Sequence, residues 1–175
     1  MINRRPVDVS LAFAALGALV VGCSGASAAK EYEVPKSLCG VSADPKVLGR
    51  LLPPGKKIDL REKNPVPSRK RCQVDVDGEI ALMASQEWWE DTDSLVDVAD
   101  AHPRLGTAKP TDSHLYLSSG TGAVGRVKNC ASPDHAEHTL YTVIEVYAKD
   151  VDDAAAVKKL ITAYTAAVEG EKNCR

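Results

Sequence analysis

The sequence predicts an α+β fold: an antiparallel β-sheet with helices packed mainly on one face, carrying two disulfides. Three observations lead there. Residues 72–82 alternate apolar and polar side chains around Asp77-Gly78, a hairpin signature. Residues 140–148 alternate again, and residues 152–169 then switch to a helical repeat. Finally, Cys39, Cys72, Cys130 and Cys174 form an even set spread along the chain.

The elements follow in order. Ser42-Ala43-Asp44-Pro45 is a helix start, with proline at the first helical position. The helix should run to Leu52, burying Val47, Leu48, Leu51 and Leu52, before Pro53-Pro54-Gly55 stops it. Residues 55–71 hold Pro65, Pro67 and scattered charges and are expected to form a solvated loop ending in Arg69-Lys70-Arg71. In the hairpin, a three-residue loop Asp77-Gly78-Glu79 pairs Val76 with Ile80, Val74 with Leu82 and Cys72 with Ala84. That keeps apolar partners together and puts Gly78 at positive φ. Trp88 and Trp89 end the second strand on opposite faces, so at most one enters the core.

Asp93 is the expected cap of a helix over Ser94–Ala101, stopped by Pro103. Leu115-Tyr116-Leu117 reads as a strand, and Gly120-Thr121-Gly122-Ala123-Val124-Gly125 as a glycine-rich turn after it. In residues 140–148, Leu140, Thr142, Ile144, Val146 and Ala148 share one face. Tyr141, Val143, Glu145 and Tyr147 share the other. The last helix, from about Asp152 to Glu169, lines up Val157, Leu160, Ile161, Tyr164 and Val168. Gly170 suits its exit, and Cys174 lies just beyond.

The amino terminus has a different character. Arg4 and Arg5 precede an apolar run from Val9 to Gly22 broken only by Ser10, the layout of a secretory signal. The run is too short for a membrane span, which needs about 20 apolar residues. Ala26-Ser27-Ala28 fits ordinary signal cleavage, but Val20-Val21-Gly22-Cys23 at the end of the run resembles the lipobox of bacterial lipoproteins. The resemblance implies diacylglyceryl transfer to Cys23, cleavage of residues 1–22, and a lipid anchor on the extracellular face of the cell membrane. Two or more acyl chains, palmitate among them, would anchor stably where one does not. Residues 23–34 then form a tether, and residues 35–175 a single extracytoplasmic domain.

Cysteine parity agrees with this reading. The chain has five cysteines; lipidation of Cys23 leaves four for two disulfides, as an exported protein allows. Three pairings are open, with Cys39–Cys72 and Cys130–Cys174 favoured because each would tie a helical segment to a nearby strand. No Cys-x-x-Cys spacing suggests zinc. Val34-Pro35-Lys36-Ser37-Leu38-Cys39-Gly40, Leu51-Leu52-Pro53-Pro54-Gly55, Arg71-Cys72 and Cys130 together resemble small actinobacterial lipoproteins of unknown function. That resemblance bears on location and fold and implies no catalytic residue.

Composition excludes other classes. Removal of residues 1–22 takes away Arg4, Arg5 and Asp8, leaving 20 basic and 23 acidic side chains. Such a balance does not fit nucleic-acid binding. The pattern Gly120 to Gly125 matches a dinucleotide fingerprint, but Ser132-Pro133 leaves no room for the helix it requires. Glu90, Asp91, Asp93, Asp97 and Asp100 lack the glycine and terminal glutamate of a calcium loop. No cofactor and no catalytic set is expected. The leading expectation is a non-enzymatic module binding a small ligand or an envelope partner. The alternative is a metal-dependent envelope enzyme built on His135 and His138.

Overall fold

The computed structural model describes residues 29–171. Cys23, the lipobox and Cys174 lie outside the described residues. A two-stranded ribbon, β1 (Ser37–Leu38) and β2 (Val41–Ser42), leads into α1 (Pro45–Leu51). There follow β3 (Ile58–Val66), β4 (Arg69–Val76), β5 (Glu79–Glu90) and α2 (Leu95–Asp100). A 3-10 turn at Pro103–Leu105, β6 (Lys109–Pro110), β7 (Tyr116–Ser118), β8 (Gly122–Arg126) and β9 (His138–Val146) come next. The described chain closes with α3 (Ala154–Glu169). Strands β3 to β9 form one antiparallel sheet in the order β3-β4-β5-β9-β8-β7-β6.

This is the expected α+β class, with one refinement. Helices α1 and α3 pack on one face, where Val47, Leu48, Leu51, Leu160, Ile161, Val168 and the even-numbered side chains Leu140, Ile144 and Val146 make the main core. Helix α2 and the 3-10 turn cover part of the opposite face, over Leu117, Val124, Tyr141 and Val143. Each helix is capped as its sequence dictates. Asp44 accepts from the Lys46 amide, and Asp153 from the Ala156 amide. The cap of α2 is Ser94 rather than Asp93, because Ser94 and Asp97 form a reciprocal capping box. Arg50, in the last turn of α1, holds Asp153 with two bonds of 2.8 and 2.9 Å, joining the end of α1 to the start of α3.

Three expectations are corrected. Residues 58–66, read as loop, form β3, the edge strand. Its charges and Pro65 hide the alternation of Ile58 and Leu60, and an edge tolerates both features. The hairpin loop has two residues, not three: Val76 pairs with Glu79, with Asp77 (φ 51°) and Gly78 (φ 87°) both left-handed. The apolar register returns through a bulge at Ala81, so Val74–Leu82 and Cys72–Ala84 pair as expected while Ile80 is left exposed. The bulge has a use, since the Ala81 carbonyl accepts from both Tyr147 and Ala148 amides. Lastly, Gly122 to Gly125 belong to strand β8 rather than to a turn.

The Cys39–Cys72 disulfide is present. The other expected pairing, Cys130–Cys174, involves Cys174, which lies outside the described residues. Residues 30–34, assigned to the tether by their sequence, lie against the domain. Lys30 bridges Gly55, the Tyr32 hydroxyl reaches the Pro53 carbonyl, and Val34 packs on the core.

Candidate functional site

Strand alternation sends Glu87 and Trp89 to the α2 face and Trp88 to the α3 face. Tyr141 pairs with Glu87, and Glu145, four positions further along β9, joins Glu87 on the same face. His102, just after α2, is set between them. Its Nε2 lies 3.3 Å from Glu87 Oε2 and its Nδ1 lies 3.3 Å from Glu145 Oε2. Arg69 closes on Glu87 at 2.9 Å, and the Trp89 indole N–H donates to it at 3.2 Å. The Tyr147 hydroxyl donates to Glu145 at 3.1 Å, with the Arg104 guanidinium 4.8 Å over the Tyr147 ring. The result is a charge chain, Arg69⁺–Glu87⁻–His102⁺–Glu145⁻, in which Glu87, His102 and Glu145 are at most 4% exposed.

The electrostatics follow from that order. Burial disfavours the His102 cation, but its bonds to Glu145 and Glu87 outweigh burial and push its pKa up to about 9. Burial likewise raises Glu87 and Glu145, and their bonds to His102 more than offset it, so both sit below the usual carboxylate range. With both ring nitrogens donating, His102 has no lone pair for a metal or for a substrate proton. The cluster is therefore a clasp that fastens the α2 segment to the sheet.

The open site lies at the end of the sheet near the β3–β4 turn. A cavity of about 550 Å³ opens between Ser68–Lys70 and the 130–135 segment, with Trp88 and Leu140 also lining it. A second, more open hollow of about 670 Å³ lies beside it, and His135 borders both. The His135 ring stacks on Trp88, centroids 5.0 Å apart and planes 21° apart. His138 meets His135 edge-on at 5.9 Å, and its Nδ1 lies 2.7 Å from the Ala136 carbonyl.

The sequence singled out His135 and His138, and the structure does bring them together, but around Trp88. Among the described residues no group of three or more His, Cys, Asp or Glu side chains could hold a metal ion. The acidic cluster is also otherwise engaged: Asp97 caps α2, Asp93 accepts from the Glu90 amide, and Asp91 accepts from Thr139. Of the Arg69-Lys70-Arg71 run, Arg69 enters the charge chain while Lys70 stays exposed beside the cavity.

The glycine-rich segment serves close packing. A Cβ on Gly125 would stand 2.5 Å from Thr165 Oγ1 and 2.8 Å from the Tyr116 ring. One on Gly122 would stand 2.5 Å from Leu105 and 2.9 Å from the Arg104 carbonyl. His102 and its two glutamates were missed in the sequence. The available signal was Glu145 standing among Tyr141, Val143 and Tyr147, an acid on an otherwise apolar strand face. No protein-family model matches the chain, and neither a curated protein nor a solved structure matches it.

Proposed function

We propose that this chain is an exported lipoprotein anchored through Cys23 to the extracellular face of the cell membrane, and that its domain binds a small ligand in the Trp88 cavity. The observation that carries the binding reading is that cavity: about 550 Å³, within the range of small-molecule sites, and lined by an indole ring with polar groups around it. A protein-docking surface has less support, since the exposed large apolar residues Val66, Ile80 and Val96 sit on separate elements. Enzymatic chemistry has less support still. The most perturbed histidine is sealed and fully engaged.

The Cys39–Cys72 bridge supports export, because such bonds persist in oxidising compartments. The second pairing, Cys130–Cys174, belongs to this proposal. So does the arrangement relative to the membrane. The tether joins the domain at the Lys30–Gly55 bridge, beside Val76 and Asp77, whereas the cavity lies at the Arg69 end of β4. Seven steps of strand separate the two, about 24 Å, which in this proposal puts the cavity at the end away from the tether.

The test is a native mass spectrum of the protein extracted from its own membranes, with and without reduction. The expected species begins at Cys23, carries a diacylglyceryl group, gains about 4 Da on reduction at two hydrogens per disulfide, and retains a non-covalent small molecule. A lipid-free chain beginning at Ala29 would overturn the anchor. A bare protein mass from every membrane preparation, together with no saturable binding of an added ring compound, would overturn the binding reading.

A further inference from the structure

We infer that Trp88 is a stacking platform for a flat-faced ring, an aromatic ring or a pyranose sugar, and that His135 occupies its place until a ligand displaces it. This rests on the binding reading above and names the ligand class. The molecule itself demonstrates the fit: a planar ring already lies on the Trp88 indole, 5.0 Å away and 21° from parallel. Among the described residues the His135 side chain makes no hydrogen bond or ion pair, and its further ring contact is the edge of His138.

Its surroundings give it somewhere to go. His135 borders the 550 Å³ cavity on one side and the 670 Å³ hollow on the other. Movement from the first towards the second bares the indole without disturbing the core. The segment that carries it is bounded by Asn129 (φ 53°) and Glu137 (φ 61°), both in the left-handed region. Around the cavity both signs of charge are present, Arg69 and Lys70 against Asp134 and Glu171, with the Gln86 amide between strand and helix. That rim suits a ring whose edge both donates and accepts hydrogen bonds, and it does not select a strongly anionic or cationic ligand.

Competition between His135 and the ligand for one indole face has a defined signature. Removing the internal ring should tighten binding by roughly 2- to 10-fold, the worth of one aromatic stack, because the site no longer spends time self-occupied. The experiment titrates the mature, membrane-extracted protein with indole-3-acetate and, separately, with N,N′-diacetylchitobiose. Calorimetry reads affinity, and the His135 ring proton signals read stacking. The expected result is saturable binding of one of the two probes, with the His135 signals losing the upfield shift that the indole imposes. His135→Ala should bind that probe more tightly, His135→Phe more weakly, and Trp88→Ala should lose it while Trp88→Phe retains part. The probe that binds tells aromatic from sugar.

A co-extracted ligand that neither probe displaces, with the His135 signals unmoved, would overturn the ring platform and leave the binding module standing. Tightening absent in His135→Ala would overturn the competition. Failure of both probes with no co-extracted ligand would overturn both readings together.

Discussion

His102 illustrates how much one buried residue can set. It presents a cation to two carboxylates that the sheet has already desolvated, and it fastens the α2 segment in doing so. Its pKa rises from 6.5 to about 9 on folding, so its contribution is complete below pH 6.5 and is lost as pH rises through about 9. Glu87 and Glu145 are shifted down, so their contribution is present above the ordinary glutamate range and is lost as pH falls below it. Denaturant unfolding from pH 4 to 10 should therefore show a stability plateau between about pH 5 and 6.5 and a decline on either side. His102→Ala should cost about 3–5 kcal/mol near neutrality, because it leaves two carboxylates buried together. Adding Glu87→Gln and Glu145→Gln to it should return part of that loss and flatten the alkaline decline. A wild-type curve with no alkaline slope would contradict the clasp.

At the scale of elements, close approach matters more than charge. β8 lies between α3 and the 3-10 turn, and its glycines set how near each comes. Gly125→Ala pushes a methyl against Thr165, whose hydroxyl is already committed to Thr142 at 2.6 Å and to the Ile161 carbonyl at 2.8 Å. The buried side chains around it have little room to yield, so the substitution should destabilise by about 1–3 kcal/mol. Gly106→Ala, at a position where a Cβ meets nothing within 4 Å, should be near neutral by the same denaturation measurement. The Cys39–Cys72 bridge closes a 33-residue loop that includes α1 and β3. Replacing both cysteines by serine should cost about 3–4 kcal/mol through the entropy released to the unfolded chain.

For the molecule as a whole, the separation of tether and cavity along β4 makes a further prediction. Deleting residues 25–28 should leave probe binding at Trp88 unchanged within twofold while bringing the domain closer to the bilayer, as a quench of Trp fluorescence by spin-labelled lipid would report. A large loss of binding would mean that tether and cavity communicate. What sequence alone determined was everything governed by local periodicity and punctuation: α1 and its proline start, the Asp77-Gly78 reversal, the two faces of β9, and the apolar stripe of α3. These depend on residues close in the chain. The charged edge strand β3, the bulge at Ala81 and the packing role of the β8 glycines depend on residues of other elements, and His102 meets Glu87 and Glu145 from 15 and 43 positions away. His135 was legible as a chemically notable residue, but its partner was not. Only the register of β5 against β9, with the 130–137 segment folded back over it, brings an imidazole onto Trp88. Distance in sequence carries no signal of proximity in space, and that is where the tertiary structure decided.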